Sequence, residues 1–356
     1  MTRNEITERL GISHPILQAP MAGGTTTPEL VAAASNAGAL GSLGAAYLTP
    51  EQLIESIQKI RALTDKPFNV NLFAGGYDAE PKTDPGPMLA LLAEVHEVLG
   101  LPAPTLPTVP PDPFPEQLQA VLDARPPVFS FTFGVPDPPA MRSLKARGIT
   151  ILGTATTPRE ASMLAEAGVD AIVAQGAEAG AHRGTFAGPF EEAMVPTMEL
   201  VEQIAKLSPL PVIASGGLMD GHDIAAAMDR GASAAQLGTA FLTCPESGVS
   251  STHKEAVLAA KQDTTLITRA FSGRPARALM NTFLSKLAAQ QEIILPFPLQ
   301  NRMTRPMRMA AAKLGNADFL SLWAGQGVTR ARSMPAATLV QCLMEEINAV
   351  SGIPRG

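Results

Sequence analysis

With 356 residues, of which 46% are hydrophobic and 17% charged, the chain carries ample material for a folded core. Its net charge of -6 and pI near 5.5 exclude a generally basic surface for nucleic acid or anionic membrane, though not a local cationic pocket. Two cysteines, Cys244 and Cys342, can neither build a disulfide framework nor supply metal-ligand spacing, so a reducing cytoplasm is the expected location.

The chain alternates short β-branched runs with Ala-rich amphipathic stretches. PILQAPM at 15–21 reads as a first strand, and Pro28 opens a helix that stops at Gly38. ALGSLG at 39–44 is a second strand. The stretch 50–64 is a helix with Leu53, Ile54, Ile57, Ile60 and Leu63 near a 3.6 period, and FNVNLF at 68–73 is a third strand. Residues 74–115 then hold ten prolines and room for one helix near 86–99, an excursion from the barrel top that is as readily a plain surface loop as a lid. Strands follow at 127–134, 149–156, 171–176, 211–217 and 234–243, with helices at 137–147, 158–168, 196–207 and 220–231. Eight βα units predict a closed (β/α)8 TIM barrel over residues 1–250, with a Pro-rich insertion after strand 3. Residues 251–356 are expected to be a mainly helical region packed on the barrel. MTRNEITERLG lacks the apolar run of a signal peptide, and no apolar stretch of 18 residues predicts a membrane span.

Three constellations stand at strand ends, where barrel enzymes place their chemistry. Ser215-Gly216-Gly217 ends strand seven, and Gln236-Leu237-Gly238-Thr239 lies on strand eight. Glycines there let backbone N–H groups approach a phosphate, although a lone Gly-Gly would be only a tight turn. AQGAEAGAHRGTFAG at 174–188 follows strand six. Its Gln175 offers a donor and an acceptor to a flat heterocycle, and its His182 titrates near neutrality, which suits an acid or base better than a solvated loop residue. Pro20, Met21 and Ala22, with Gly23 and Gly24, would bring flat apolar backbone to the mouth, and Asn71 could donate to a heterocycle edge. As composition alone, this last set could equally be a helix-entry turn. His14, His96, His222 and His253 look structural, and no ligand spacing predicts a metal.

QAPMAGG (18–24), NVNLF (69–73), QGAEAGAHRG (175–184), ASGG (214–217), QLGTAF (236–241) and LWAGQG (322–327) together resemble the nitronate monooxygenases, formerly the 2-nitropropane dioxygenase group. The resemblance implies FMN across the barrel top. Pro20, Met21, Ala22, Asn71, Gln175 and Gly180 would then lie at the ring or ribityl chain, and Gly216, Gly217 and Gln236 to Thr239 at the phosphate. It implies that His182 is the catalytic histidine, in oxidation of a nitronate or nitroalkane by O2 to a carbonyl compound and nitrite. Either a neutral His182 takes the carbon-bound proton or a protonated one holds the anion. A homodimer paired through C-terminal helices is compatible with this likeness. Two departures stand out. The family commonly has Gly-Gly-His where this chain has Gly180-Ala181-His182, and the only tyrosines are Tyr47 and Tyr77. The central motif is shared in variant form with flavin-dependent reductases, so a reductase of quinones or enoyl thioesters using NAD(P)H is the alternative. A flavin-binding protein with incidental turnover, or a flavin-free phosphosugar barrel, are readings of other classes.

Overall fold

The computed structural model describes residues 5–77, 83–109 and 111–350. The strands in chain order are β1 (Ile16–Gln18), β2 (Gly41–Gly44), β3 (Phe68–Phe73), β4 (Val128–Thr132), β5 (Thr150–Ala155), β6 (Ala171–Gln175), the two-residue β7 (Ala181–His182), β8 (Val212–Ser215), β9 (Ala234–Leu237), β10 (Thr265–Thr268) and β11 (Ala276–Leu279). All but β7, β10 and β11 form one parallel sheet in the order β1-β9-β8-β6-β5-β4-β3-β2. A parallel bridge between Leu17 and Leu40 closes it, with the Leu40 N–H donating to Ile16 O and the Gln18 N–H to Leu40 O, both at 2.9 Å. The expected (β/α)8 barrel is therefore what the chain forms.

The helices are α1 (Glu5–Leu10), α2 (Pro28–Asn36), α3 (Pro50–Leu63), α4 (Gly86–Val98), α5 (Phe114–Ala124), α6 (Pro138–Ala146), α7 (Pro158–Ala167), α8 (Thr197–Leu207), α9 (Gly221–Asp229), α10 (Thr239–Leu242), α11 (Ser251–Ala259), α12 (Thr282–Leu287), α13 (Leu299–Leu314) and α14 (Ala336–Val350). Several begin on one local device. Thr27, Thr49, Asp137 and Thr157 accept from N–H groups of the first turn, each just before a proline at the first helical position. None of the described helices is long and apolar enough to cross a membrane.

Helix α1 closes the barrel floor. Ile6 and Leu10 pack with Leu17, Val173 and Ile213 from inside the sheet. Full burial of such side chains stabilises by about 1.5–3 kcal/mol each, so a short helix suffices as a plug.

The structure corrects two readings. Strand eight does not run to 243: it stops at Leu237, and Thr239–Leu242 coil into α10, burying Phe241 and Leu242. Residues 116–124 lie outside the predicted elements, yet α5 spans Phe114–Ala124, because Pro115 sits in its first turn, where no N–H is missed. Beside the helices after residue 250, β10 and β11 join β7 in a small antiparallel sheet. Finally, α14 packs between α9 and α2, with Leu339, Val340, Leu343 and Ile347 in the barrel's own core. The barrel's outer ring thus takes its last helix from beyond residue 250. The Pro-rich stretch at 74–115, described except for 78–82 and 110, contributes α4, whose Met88, Leu92 and Val95 join Phe271, Phe283, Met303 and Met307 in a second core. That core caps the barrel mouth.

Candidate active site at the barrel mouth

The loop after β6 is tied down by its own strand. The Gln175 Nε2 donates to His182 O at 3.0 Å, and Gln175 Oε1 accepts from the Gly184 N–H at 2.7 Å. The carboxamide expected to face a ring is thus engaged at both ends by the loop backbone. Gly180 sits where any side chain would come within 2.5 Å of the Gly325 nitrogen, so close backbone approach requires glycine there. Ala181 follows with φ +59°, in the left-handed region despite its Cβ. β7 then pairs with β11, Arg277 opposite Ala181 and Ala276 opposite His182.

His182 is half-buried. Its Nε2 lies 2.8 Å from Ser272 Oγ. Its ring centroid is 5.5 Å from Trp323, 6.0 Å from Phe133 and 6.4 Å from Phe73, so aromatic faces and edges wall it on several sides. Desolvation within this wall, with the nearby positive charges of Arg274 and Arg308, pushes its pKa down to about 3. The imidazole is neutral at pH 7. Arg274 stacks 3.9 Å above the Phe133 ring and 4.8 Å from the Phe297 ring. Arg308 projects from α13, its Nη2 donating at 2.8 Å to both Asn301 O and Asn301 Oδ1. Burial lowers the Arg308 pKa to about 10, and it has no carboxylate ion-pair partner among the described residues. The positive charge at this mouth therefore sits on guanidinium groups and not on the imidazole.

The expected phosphate residues gather on the neighbouring side. Gly216 and Gly217 end β8, and Gly217 has φ +71°, with α9 starting just beyond under the Asp220 cap. Gly238 follows β9, where a Cβ would make only ordinary contacts, with Ala19 Cβ at 3.6 Å and Met21 Sδ at 3.9 Å. Thr239 Oγ1 accepts from the Gly325 N–H at 2.9 Å, and Gln236 Nε2 donates to Ser215 Oγ at 3.3 Å. Leu237 is 1% exposed and offers only backbone. Pro20, Met21 and Ala22 line the rim, with Ala22 against Phe73 and Phe133. Asn71 is buried at the top of β3 and donates to Ser130 Oγ at 2.9 Å.

Sequence reasoning missed Ser272, Arg274, Arg308 and the wall formed by Phe73, Phe133 and Trp323. Phe73 and Trp323 lie within NVNLF and LWAGQG. Ser272 and Arg274 follow a short strand in a region read as helical, and Arg308 is one of several arginines on an amphipathic helix. Two of the other histidines serve the frame. His253 is buried with Nε2 3.1 Å from Trp323 O, and His96 Nδ1 is 2.6 Å from Pro102 O.

Comparison with known proteins decides the family. The nitronate monooxygenase family model matches residues 3–346. The chain belongs to the nitronate monooxygenase family. It is 40% identical over 354 residues to a protein named "Probable nitronate monooxygenase" of Staphylococcus haemolyticus, covering 99% of each chain. A Staphylococcus aureus (strain Newman) protein of the same name is 39% identical over 98% of both. Among solved structures, nitroalkane oxidase from Streptomyces ansochromogenes superposes with a TM-score of 0.90 at 40% identity, covering 98% of this chain and 99% of that one. FabK from Thermotoga maritima superposes at 0.78 with 29% identity, covering 99% and 98%. Family membership makes the protein an oxidoreductase and points to a flavin and to nitronate oxidation.

Proposed function

We propose that the protein uses FMN and O2 to oxidise alkyl nitronates, and nitroalkanes after deprotonation, to carbonyl compounds and nitrite. The observation that carries this reading is the gathering of His182, Arg274 and Arg308 at one mouth walled by Phe73, Phe133 and Trp323. FMN, when bound, supplies the electron transfer that no side chain here can supply. The residues present suit it: an aromatic and imidazole wall for a planar ring, and glycine backbone just beyond β8 and β9, next to the start of α9, for a phosphate.

Of the two roles open to His182, the base requires a neutral ring, the form that burial beside Arg274 and Arg308 favours. Ser272 engages Nε2, which leaves Nδ1 to take the acidic proton of a nitroalkane carbon. Arg274 and Arg308 draw the negative nitronate oxygens, which are short, planar acceptors suited to guanidinium donors. Phe73, Phe133 and Trp323 keep water from the imidazole and strengthen that attraction.

Anaerobic mixing of the yellow protein with propyl-2-nitronate tests the reading. Flavin bleaching by the nitronate, with sluggish bleaching by NADH or NADPH, is expected. Rapid bleaching by nicotinamide with indifference to nitronate would overturn it in favour of a quinone or enoyl-thioester reductase. The cofactor assignment has its own test. Gly217→Ala forces a Cβ to 2.9 Å from Glu178 Cβ and strains a left-handed position. The variant is expected to purify with about tenfold less flavin, read from the ratio of 450 to 280 nm absorbance and rescued by added FMN. Unchanged flavin content would remove Gly217 from the phosphate site.

A further inference from the structure

Among the described residues, two buried arginines beside His182 hydrogen-bond to no carboxylate, although Glu178 and Glu160 lie near Arg183, and Asp263 and Glu178 near Arg277. Arg183 is 2% exposed and Arg277 6%. The Nη2 of Arg183 donates to Gln175 O and to Ala193 O, each at 2.9 Å, and its Nη1 to Gly176 O. Arg277 forks onto Ala177 O with Nε at 3.2 Å and Nη2 at 2.8 Å, and its Nη1 reaches Thr265 Oγ1 at 3.1 Å. Every acceptor is neutral. Burying a guanidinium on such terms costs more than filling the same volume with an aliphatic chain. What an aliphatic chain cannot do is satisfy three successive loop carbonyls that leave the strand ladder at Gln175.

The geometry of the next residues says what those bonds hold. Ala181, directly opposite Arg277 in the β7–β11 register, is one of three described non-glycine residues with positive φ. An L side chain disfavours that conformation roughly fivefold or more, so something must over-determine it. We propose that Arg183 and Arg277 are positioning residues: their forks on the carbonyls of Gln175, Gly176, Ala177 and Ala193 keep Ala181 left-handed and so hold the His182 ring against Ser272. The inference rests on the reading of His182 as the residue that touches substrate. It also accounts for the Gly-Ala-His sequence, because a clamped loop tolerates an alanine where a free one needs glycine.

The test is rescue. Glycine at 181 adopts positive φ without cost, so it should make the clamp dispensable. Arg277→Met is expected to lower kcat on nitroalkane about ten- to a hundredfold with KM little changed, as a small misplacement of a reacting group does. In an Ala181→Gly background the same change should cost less than about threefold. Hydrogen exchange of the peptide spanning 176–190, measured on the flavin-loaded protein, should quicken in Arg277→Met and recover in the double variant. Equal losses in both backgrounds, or unchanged exchange, overturn the proposal. If Arg277→Met does not fold, Arg277→Lys keeps the charge but loses the fork, and the same comparison holds. Should His182 prove idle in turnover, the functional reading falls while hydrogen exchange still decides whether the clamp exists.

Discussion

His182→Asn is expected to lose turnover of neutral nitroalkane by about 10²- to 10⁴-fold, the usual worth of a positioned base, and to lose less on propyl-2-nitronate, which arrives already deprotonated. Asparagine is polar and of similar reach but cannot accept the proton. The two losses therefore separate proton abstraction from positioning. Equal losses on both substrates would make His182 an orienting residue, and no loss on either would remove it from the reaction. The pH dependence is a second check on the same variant pair. The pKa of His182 is lowered to about 3 by burial first and by Arg274 and Arg308 next. A lowered pKa means that the base form persists well below the ordinary titration of histidine. The nitroalkane kcat/KM of the wild type should therefore not fall between pH 8 and 5.5 on account of this group. A limb near the ordinary imidazole value of about 6.5 would show that His182 is solvated and protonates normally.

Arg308→Met is expected to raise KM for propyl-2-nitronate about ten- to a hundredfold, with a much smaller effect on the neutral nitroalkane. Hydrogen bonds involving a charged group contribute about 1.5–3 kcal/mol, and that range sets the expected factor. Methionine keeps much of the side chain's volume, so the charge is the main thing removed. Steady-state kinetics on both substrates checks it. An equal rise for both would mean that Arg308 acts through Asn301 and Thr304, which it also bonds. Linkage gives a further sign. Arg308 is one of the charges that lower the His182 pKa, so its removal should move that pKa upward and never downward.

Much of the barrel was legible because its signals are local. Thr-Pro and Asp-Pro pairs mark helix starts, and β-branched runs of about five residues mark buried parallel strands. The misreadings share a cause. Pro115 reads as a breaker although it opens α5, and TLIT and ARAL (the residues of β10 and β11) are too short to outweigh the helical stretches around them. AFLT after Gly238 has strand-like composition, but only the packing of Phe241 and Leu242 beneath the cap decides that it coils.

The sequence by itself determined the fold class, the family likeness, the glycine ends of β8 and β9, and the histidine in the strand-six loop. Each depends on residue type and short-range spacing, which a chain carries before it folds. Tertiary structure alone decided that Ser272, Arg274 and Arg308, about 90 to 126 residues further on, would meet that histidine. It also decided that His182 would be neutral, since a pKa depends on burial and on charges from distant segments. Likewise, the last helix could be assigned to the barrel only once α2 and α9 stood side by side, because its apolar stripe fits any partner of the right shape and names none.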